Sequence, residues 1–389
     1  MRSKALMIAA VFVLLLTGCS KPESIIPAAE WEDEHPDVYE TYMRNSEMEA
    51  TTFGGSVPID YLEKYPELRT FYDGYGFSIE YLRARGHTYA LEDVIHTQRP
   101  KAAASCFACK SADYLMLLEE EGVKANKMTF DEVTPMMQNT ISCYDCHKNT
   151  PGVIEVSRSH FLTGITHLEK EYKPTEQVCA QCHVEYYQDP ETKEIVVPWH
   201  NGVGTDDMLG YFDSIGYSDW THPSTGTQLL KVQHPEFETY QTGLHAKFNL
   251  TCVDCHMPQT QGSGSESFKS HHWTSPLKTI ESSCLGCHQD ETAASLTAKV
   301  EGVQKQVEDK MNEGSRVLLE LIDLLNTETA SQTVSDQVLE EARNKHRIAQ
   351  FKWDFVFVEN SEGFHNKDLA MKNLQEAIDT ANEGIALLK

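Results

Sequence analysis

The chain has 389 residues, with 59 aspartates and glutamates against 33 lysines and arginines, which gives a formal net charge of −26 at pH 7. So acidic a protein is not expected to bind nucleic acid, and an anionic substrate would need a locally positive approach to its site. Ten of the eleven cysteines stand in C-x-x-C pairs.

The first 18 residues have the pattern of an export signal. Arg2 and Lys4 precede an apolar run, residues 5–16, that is too short to span a bilayer as a permanent helix. Leu16-Thr17-Gly18-Cys19 resembles a bacterial lipobox, which predicts a lipid on Cys19; an ordinary secretory signal with an incidental cysteine is the alternative. We expect the protein to lie outside the cytoplasm, in the periplasm or on the outer face of the cytoplasmic membrane, where this lipid would anchor it.

Residues 19–60 are acidic and proline-punctuated, and we expect them to lead from the anchor into the body. Residues 61–289 contain all five C-x-x-C pairs among short helical pieces and loops with little periodicity. Residues 290–389 have the spacing of long helices and belong to the same domain. The predicted fold class is mainly α, with long C-terminal helices and little β structure.

The C-terminal hundred residues predict three helices. An apolar residue at every third or fourth position predicts the first, from about residue 291 to 326. A turn at 326–331 precedes a second helix at about 335–358, and a third runs from Asn366, a plausible N-cap, to Leu388. The apolar stripe of the first helix could serve a bundle within one chain or a homodimer interface.

Four of the C-x-x-C pairs are followed directly by histidine. This is the attachment pattern of c-type haem, in which both thiols form thioethers and the adjacent imidazole ligates iron. Disulfides and zinc ribbons also use paired cysteines, but neither needs the trailing histidine. With the fifth pair, the sequence predicts five covalently bound haem c groups. The fold class is therefore a multihaem cytochrome c fold with a haem-packed core, in which macrocycles rather than aliphatic side chains fill the interior of residues 61–289. The motifs with histidine are Cys143, Cys146 and His147; Cys179, Cys182 and His183; Cys252, Cys255 and His256; and Cys284, Cys287 and His288.

The remaining pair, Cys106-Phe-Ala-Cys109-Lys110, has lysine where the others have histidine. A haem with two histidine ligands passes electrons but offers no free face to a substrate. At Lys110 the ligand would be a neutral amine, held deprotonated by burial and coordination. The alternative is a disulfide between Cys106 and Cys109, with Lys110 at the surface.

One C-x-x-C-K motif followed by four C-x-x-C-H motifs resembles pentahaem cytochrome c nitrite reductase, the ammonia-forming enzyme. The likeness implies six-electron reduction of nitrite to ammonium at the Lys110 haem, with electrons relayed by four bis-histidine haems. It extends over nearly the whole mature chain, through Arg85-Gly86-His87, Cys182-His183-Val184-Glu185-Tyr186-Tyr187, Lys231-Val232-Gln233-His234-Pro235, Trp353-Asp354 and Gly363-Phe364-His365.

The resemblance implies a catalytic set around Lys110. Arg99 would hold nitrite, since a guanidinium hydrogen-bonds a small anion well. His234 would donate a hydrogen bond and deliver protons near neutral pH, and the Tyr186 hydroxyl would serve intermediates. A surface Arg99, a core Tyr186 and a structural His234 are the alternatives.

The resemblance also implies a calcium site and four distal haem ligands. Calcium would be bound by side-chain oxygens of Glu185 and Gln233 and by backbone carbonyls of Tyr186 and Lys231, an all-oxygen shell that suits a hard cation. The distal ligands would be His87 for the Cys179 motif, His271 for Cys143, His365 for Cys252 and His245 for Cys284. His271 is preferred to the adjacent His272 only on spacing.

The partners implied are nitrite, a membrane-bound multihaem cytochrome that oxidises quinol and donates electrons, and a second copy of the chain. A multihaem electron carrier without its own substrate is the main alternative function. A related enzyme that acts on hydroxylamine or an oxidised sulfur anion is the other.

Overall fold

The computed structural model of the chain describes residues 24–100 and 102–389. The predicted signal and the lipobox Cys19 lie outside the described residues. Within them the chain is mainly helical, and its strands form only short antiparallel pairs, so the predicted fold class is confirmed. No helix in these residues combines the length and the apolar character needed to cross a membrane.

Helices α1 to α17 of the described residues follow in chain order. They are Pro36–Met43, Tyr61–Lys64, Leu68–Phe71, Ala90–Ile95, Asp113–Glu121, Phe130–Val133, Cys143–His147, Ser159–Gly164, Pro174–Ala180, Thr205–Ser214, Glu236–Tyr240, Leu244–Lys247, Cys252–His256, Ile280–Ser283, Ala293–Ser331, Asp336–Phe357 and Lys367–Leu388. Short 3-10 turns lie at Ala28–Trp31, Arg44–Ser46, Gly76–Ser78, His87–Tyr89, Ala104–Phe107, Gly122–Lys127, Thr134–Met136, Ile165–His167 and Pro276–Lys278.

In the described part of the chain, three two-stranded antiparallel sheets interrupt the helices. Their pairs are β1 (Tyr187–Gln188) with β2 (Ile195–Val196), β3 (Trp220–Thr221) with β4 (Gln228–Leu229), and β5 (Gln259–Gln261) with β6 (Ser267–Lys269). Such short ribbons close loops rather than form a layer of the fold.

Helix α15 is longer than the sequence predicts. Its N-cap is Thr292, whose side chain accepts a hydrogen bond from the backbone N–H of Ser295, and it ends at Gln332 in the left-handed conformation. The predicted turn at 326–331 is helical. That stretch contains no glycine or proline to interrupt the backbone hydrogen bonds, so the helix continues after its last buried leucine, Leu325.

The apolar stripe of α15 packs inside the chain. Leu318, Leu321 and Leu325 are buried in one cluster with Trp353 of α16 and Leu374 of α17. The bundle interpretation of the stripe therefore accounts for its most buried residues, and the second role, a homodimer interface, remains a proposal.

Helix α16 is enclosed on all sides over its last turns, since residues 351–359 are all buried. A helix with no solvent face must find partners for its charged side chains. Lys352 pairs with Glu376 of α17, and Asp354 pairs with Lys231 of the motif region. The second of these ion pairs joins the C-terminal helices to residues 61–289.

The acidic N-terminal segment folds onto the body beside His271. The backbone N–H of His271 donates to Thr41 Oγ1 at 3.0 Å, and Asn45 Nδ2 donates to the His271 carbonyl at 2.7 Å. Trp273 N donates to Asn45 Oδ1 at 2.8 Å. The segment is therefore more than a lead, because it fixes the backbone on both sides of a predicted haem ligand.

We expect Leu321→Ala to lower the free energy of unfolding by about 2–5 kcal/mol, because Leu321 is 0% exposed at the centre of the three-helix core. Denaturant unfolding followed by far-UV circular dichroism measures the change. The control is Asp323→Ala, two residues along on the exposed face, which should change it by less than about 0.5 kcal/mol. Equal effects of the two variants would contradict the packing described for α15.

Candidate haem centres and active site

Two of the histidine motifs are single helical turns that cap themselves. In α7 and α13 the residue before the second cysteine is aspartate, Asp145 and Asp254. Each carboxylate accepts a hydrogen bond from the backbone N–H of the residue before the first cysteine, Ser142 at 2.7 Å and Thr251 at 2.8 Å. The capped turn brings cysteines at positions i and i+3 and the histidine at i+4 onto one face.

All ten cysteines within the described residues are free. The C-x-x-C pairs are therefore not disulfides, and this includes Cys106 and Cys109. Their thiols are available for thioether bonds to a haem.

Each motif histidine faces the distal histidine that the family resemblance assigns to it. A metal–imidazole bond is about 2 Å long, so two rings on opposite sides of one iron stand roughly 6 Å apart between centroids. The centroid separations are 5.9 Å for His87 and His183, 6.2 Å for His147 and His271, 6.2 Å for His256 and His365, and 6.4 Å for His245 and His288. The residues present thus fit four bis-histidine haems.

Several of these rings are held by their Nδ1 atoms, which leaves Nε2 for a metal. His147 Nδ1 lies 2.8 Å from the Val153 carbonyl, and His271 Nδ1 lies 2.9 Å from the Lys269 carbonyl. His256 Nδ1 lies 3.0 Å from a third carbonyl, that of Thr274. These contacts fix the orientation and the tautomer of each imidazole.

Two other rings face carboxylates instead. His365 Nδ1 lies 2.6 Å from Glu359 Oε1. His183 Nδ1 lies 3.4 Å from Glu236 Oε2. Burial lowers the pKa of His365, but the Glu359 carboxylate outweighs it and raises the pKa to about 9.

The geometry distinguishes His271 from His272. His271 opposes His147, whereas no ring contact of that kind involves His272 among the described residues. His272 is buried with its Nδ1 unpartnered, near Arg44. The fold therefore favours His271, as the spacing of the sequence did.

The motifs lie next to one another. The pKa of the Cys109 thiol is raised chiefly by the neighbouring Cys182 thiol, which brings the lysine motif beside the Cys179–Cys182 motif. The Cys252 thiol raises the pKa of Cys179 in the same way. Burial raises the pKa of Cys255 to about 11, and Cys284 of the last motif adds to the effect. The motifs of Cys179, Cys252 and Cys284 thus follow one another from the lysine motif.

Arg158, which the sequence did not single out, joins three motifs. It is 1% exposed, and its guanidinium donates to the carboxylate of Asp145 in α7 and, at 3.1 Å, to the carbonyl of Ala108 in the lysine motif. Gln181 of the next motif accepts from Arg158 N at 3.2 Å and donates to the Asp145 carbonyl at 3.0 Å. One buried ion pair therefore fixes the relative positions of these motifs.

Lys110 lies close enough to His234 to affect the pKa of its imidazole. The Lys110 amine makes no hydrogen bond or ion pair with any described residue. Burial lowers the pKa of His234 to about 3, and Lys110 acts in the same direction. The neutral imidazole fits the expected hydrogen-bond donor, whereas proton delivery requires another group to reprotonate the ring. Its Nδ1 is buried without a partner.

Tyr186 and Arg99 meet near the cysteines of the lysine motif. Burial raises the pKa of Tyr186 well above its usual value; Cys109 and Cys106 add to this, and Arg99 opposes it. The phenol is therefore protonated at neutral pH. Arg99 Nε donates to Thr97 Oγ1 at 3.0 Å, and its guanidinium lies 4.6 Å from the centroid of Phe77. No carboxylate pairs with Arg99 in the part of the chain that the structure describes.

The predicted calcium ligands are also together. Gln233 N donates to Glu185 Oε2, and Gln233 Nε2 donates to the Lys231 carbonyl at 3.2 Å. The Lys231 side chain turns away to Asp354, which leaves its carbonyl for the site. Residues 24–100 and 102–389 contain no cluster of three or more His, Cys, Asp or Glu side chains arranged for a metal. A calcium site here would depend on one carboxylate, one amide and two carbonyls.

The charge balance around Glu185 favours a cation. Burial raises its pKa well above the usual value, and the neighbouring Glu238 and Asp219 act in the same direction. Burial also raises the pKa of Glu238 to about 8 and that of Asp219 to about 6. Three buried carboxyl groups so close together ionise at lower cost when a positive ion lies among them.

Residues 27–389 match the cytochrome c552 family. The chain belongs to this family. The cytochrome c nitrite reductase subunit NrfA of Nitratidesulfovibrio vulgaris is 33% identical over 91% of this chain and 78% of its own. A cytochrome c-552 of Bacteroides fragilis is 33% identical over 90% of this chain and 74% of its own.

The solved structure of the cytochrome c nitrite reductase NrfA from Desulfovibrio desulfuricans, described with two calcium sites, is similar to this chain with a TM-score of 0.87. The two are 27% identical, and the match covers 96% of this chain and 87% of that one. The predicted family is confirmed, and with it an enzyme of this type. Covalently bound haem c follows from membership of the cytochrome c552 family.

The buried charges near the motifs were not predicted from the sequence. They are the Arg158–Asp145 pair and the carboxylates of Glu236 and Glu359, each of which contacts a motif or a predicted axial histidine. One signal was available. Aspartate before the second cysteine, after serine or threonine before the first, has the spacing of a capping box.

We expect Asp145→Asn to lower the free energy of unfolding by about 3–5 kcal/mol, because it leaves the buried Arg158 without its counter-charge. Asp254→Asn is the matched control. It removes the same capping carboxylate, but the partner Lys269 is 41% exposed, so loss of that ion pair should cost only about 0–1 kcal/mol. Unfolding curves and covalent haem content of both variants measure the difference. Equal losses would show that the buried pair does not hold the motifs together.

Proposed function

We propose that this chain reduces nitrite to ammonium, with six electrons, at a c-type haem bound through Cys106, Cys109 and Lys110. The observation that carries the proposal is the contrast between motifs: four have an imidazole facing another imidazole, and the fifth has an amine that makes no hydrogen bond or ion pair with the described residues. The likeness to cytochrome c nitrite reductases supports this enzyme class. Cys106, Cys109 and Lys110 would hold the fifth haem, which would supply a redox-active iron for the reduction of nitrite.

The side chains around Lys110 suit a small anion. Arg99 has no carboxylate partner among the described residues, so its charge is available to attract nitrite and to donate hydrogen bonds to its oxygens. His234 is neutral and donates one N–H. Tyr186 keeps its phenolic proton because burial raises its pKa. Together they present donors where negative charge develops on nitrogen–oxygen bonds.

The series of adjacent motifs supports an electron relay. The motif of Cys179 and Cys182 is in contact with the lysine motif on one side and with the Cys252 motif on the other. We assign the bis-histidine haems of this series to deliver electrons, one at a time, to the site at Lys110.

Calcium, export and partners complete the proposal. Glu185 and Gln233, with the carbonyls of Tyr186 and Lys231, would bind one calcium ion near the active haem. Cys19 would carry a lipid and hold the protein outside the cytoplasm. A membrane-bound cytochrome that oxidises quinol would donate electrons, and α15 would pair with its copy in a homodimer.

We expect Arg99→Ala to lower kcat/KM for nitrite by about 10²–10³-fold, because it removes a charged donor from the reacting anion. Nitrite consumption with a reduced dye measures this, and the pyridine haemochrome spectrum should show unchanged haem content. Arg69→Ala, an exposed arginine on α3, is the matched control and should keep full turnover. Turnover of Arg99→Ala within twofold of the wild type would exclude an anion-binding role.

We expect removal of calcium with a chelator to lower the melting temperature, and added calcium to restore it. A hundredfold excess over the dissociation constant stabilises a protein by about 2.7 kcal/mol. Glu185→Gln should lose this response, while Glu191→Gln, at an exposed position of the β1–β2 loop, should keep it. Elemental analysis without calcium in the wild-type protein would refute the metal site and leave the catalytic proposal standing.

A further inference from the structure

Glu359 is a buried anion that is bonded to one predicted axial ligand. It is 2% exposed, and its Oε1 lies 2.6 Å from His365 Nδ1. Its other donors are neutral: Ser361 N at 3.2 Å, Ser361 Oγ at 2.6 Å and Gly363 N at 3.4 Å. The histidine is its only ion-pair partner within the described residues.

Glu236 is a second buried carboxylate that faces the Nδ1 of a predicted axial ligand, at a longer distance. It is 7% exposed, its Oε1 accepts from Asn360 N at 3.2 Å, and its Oε2 faces His183 Nδ1 at 3.4 Å. That oxygen has no hydrogen-bond partner, and no lysine or arginine pairs with Glu236 among the described residues. Since Asn360 follows Glu359 directly, one short segment after α16 positions both carboxylates.

The other held histidines lack such charges. His147 and His271, which face each other, both direct Nδ1 at backbone carbonyls. His256, opposite His365, does the same. The protein therefore contains two kinds of predicted axial ring. In one kind Nδ1 faces a neutral backbone carbonyl, and in the other Nδ1 faces a carboxylate.

An anion on the Nδ1 of an axial imidazole makes the ring a stronger donor and stabilises the oxidised, more positive iron. The effect is larger where solvent is excluded, because a buried charge is screened less. We propose that Glu359 and Glu236 are positioning residues that lower the reduction potentials of the two haems ligated by His365 and His183, relative to the haem between His147 and His271. The inference rests on the haem ligation proposed above.

The positions of these two haems in the series of motifs give their lower reduction potentials a role in electron delivery. The His183 motif adjoins the lysine motif, and the His256 motif with its partner His365 comes next in the series. Two low-potential centres beside the site hold their electrons weakly and so pass them readily to a substrate that needs six. The closer contact, at Glu359, should have the stronger effect.

The test uses the holoprotein and redox titration followed by visible and electron paramagnetic resonance spectra. In Glu359→Gln one low-spin couple should move to higher potential by about tenfold in its oxidised–reduced equilibrium, or about 59 mV for one electron. Glu236→Gln should move a different couple in the same direction by less. Glu362→Gln is the matched control: it lies on the same segment, is partly buried, pairs with Arg83 and makes no hydrogen bond or ion pair with an axial histidine, so it should move neither.

Unchanged couples in both glutamine variants, with haem content and low-spin spectra intact, would overturn the inference while leaving the proposed ligation in place. A shift in Glu362→Gln as large as in Glu359→Gln would also overturn it, since the effect would then be one of the whole segment. Fewer than four bis-histidine haems in the wild-type spectrum would instead refute the ligation itself. Glu236→Gln keeps the test decisive if Glu359→Gln does not fold.

Discussion

The placing of imidazoles in facing pairs, at the separation that two ligands of one iron would need, organises this structure. The partners are far apart in sequence, as His87 and His183 are, yet their rings are 5.9 Å apart. Short capped turns hold the motif histidines, and separate loops carry the partners. The N-terminal segment contributes to this arrangement by fixing the backbone around His271. Helices, loops and small sheets thus place the predicted ligands in pairs, and the lysine motif has no such imidazole pair among the described residues.

Buried charge is the second constraint, and it follows from the first. Motifs packed against one another leave little solvent, so every ionised group between them needs a partner. Arg158 with Asp145 ties motifs together, and Lys231 with Asp354 ties the motif region to α16. Glu185 and Glu238 form no ion pair with a lysine or arginine among the described residues, and a divalent ion is the partner that we propose for them. Arg99 is the reverse case, a cation that pairs with no carboxylate in the described part of the chain, and we propose that it binds the anionic substrate.

Much of this could be predicted from the sequence, because covalent attachment requires a fixed spacing of cysteine and histidine. The family and the helical class are confirmed. The boundaries were less predictable: α15 continues through 326–331, since the absence of helix breakers there counts for more than the end of the apolar stripe. The carboxylates Glu236 and Glu359 could not be found, because a glutamate in a loop looks the same whether it meets solvent or an imidazole. Only the tertiary fold brings His365 and Glu359 to 2.6 Å.

The most direct test of the central claim is the resting-state electron paramagnetic resonance spectrum with and without nitrite. The account predicts signals from four low-spin bis-histidine haems that nitrite leaves alone, and a fifth signal, from the haem at Lys110, that changes when nitrite binds. Five six-coordinate haems with protein ligands and no response to nitrite would contradict it, and the chain would then be an electron carrier without a substrate of its own.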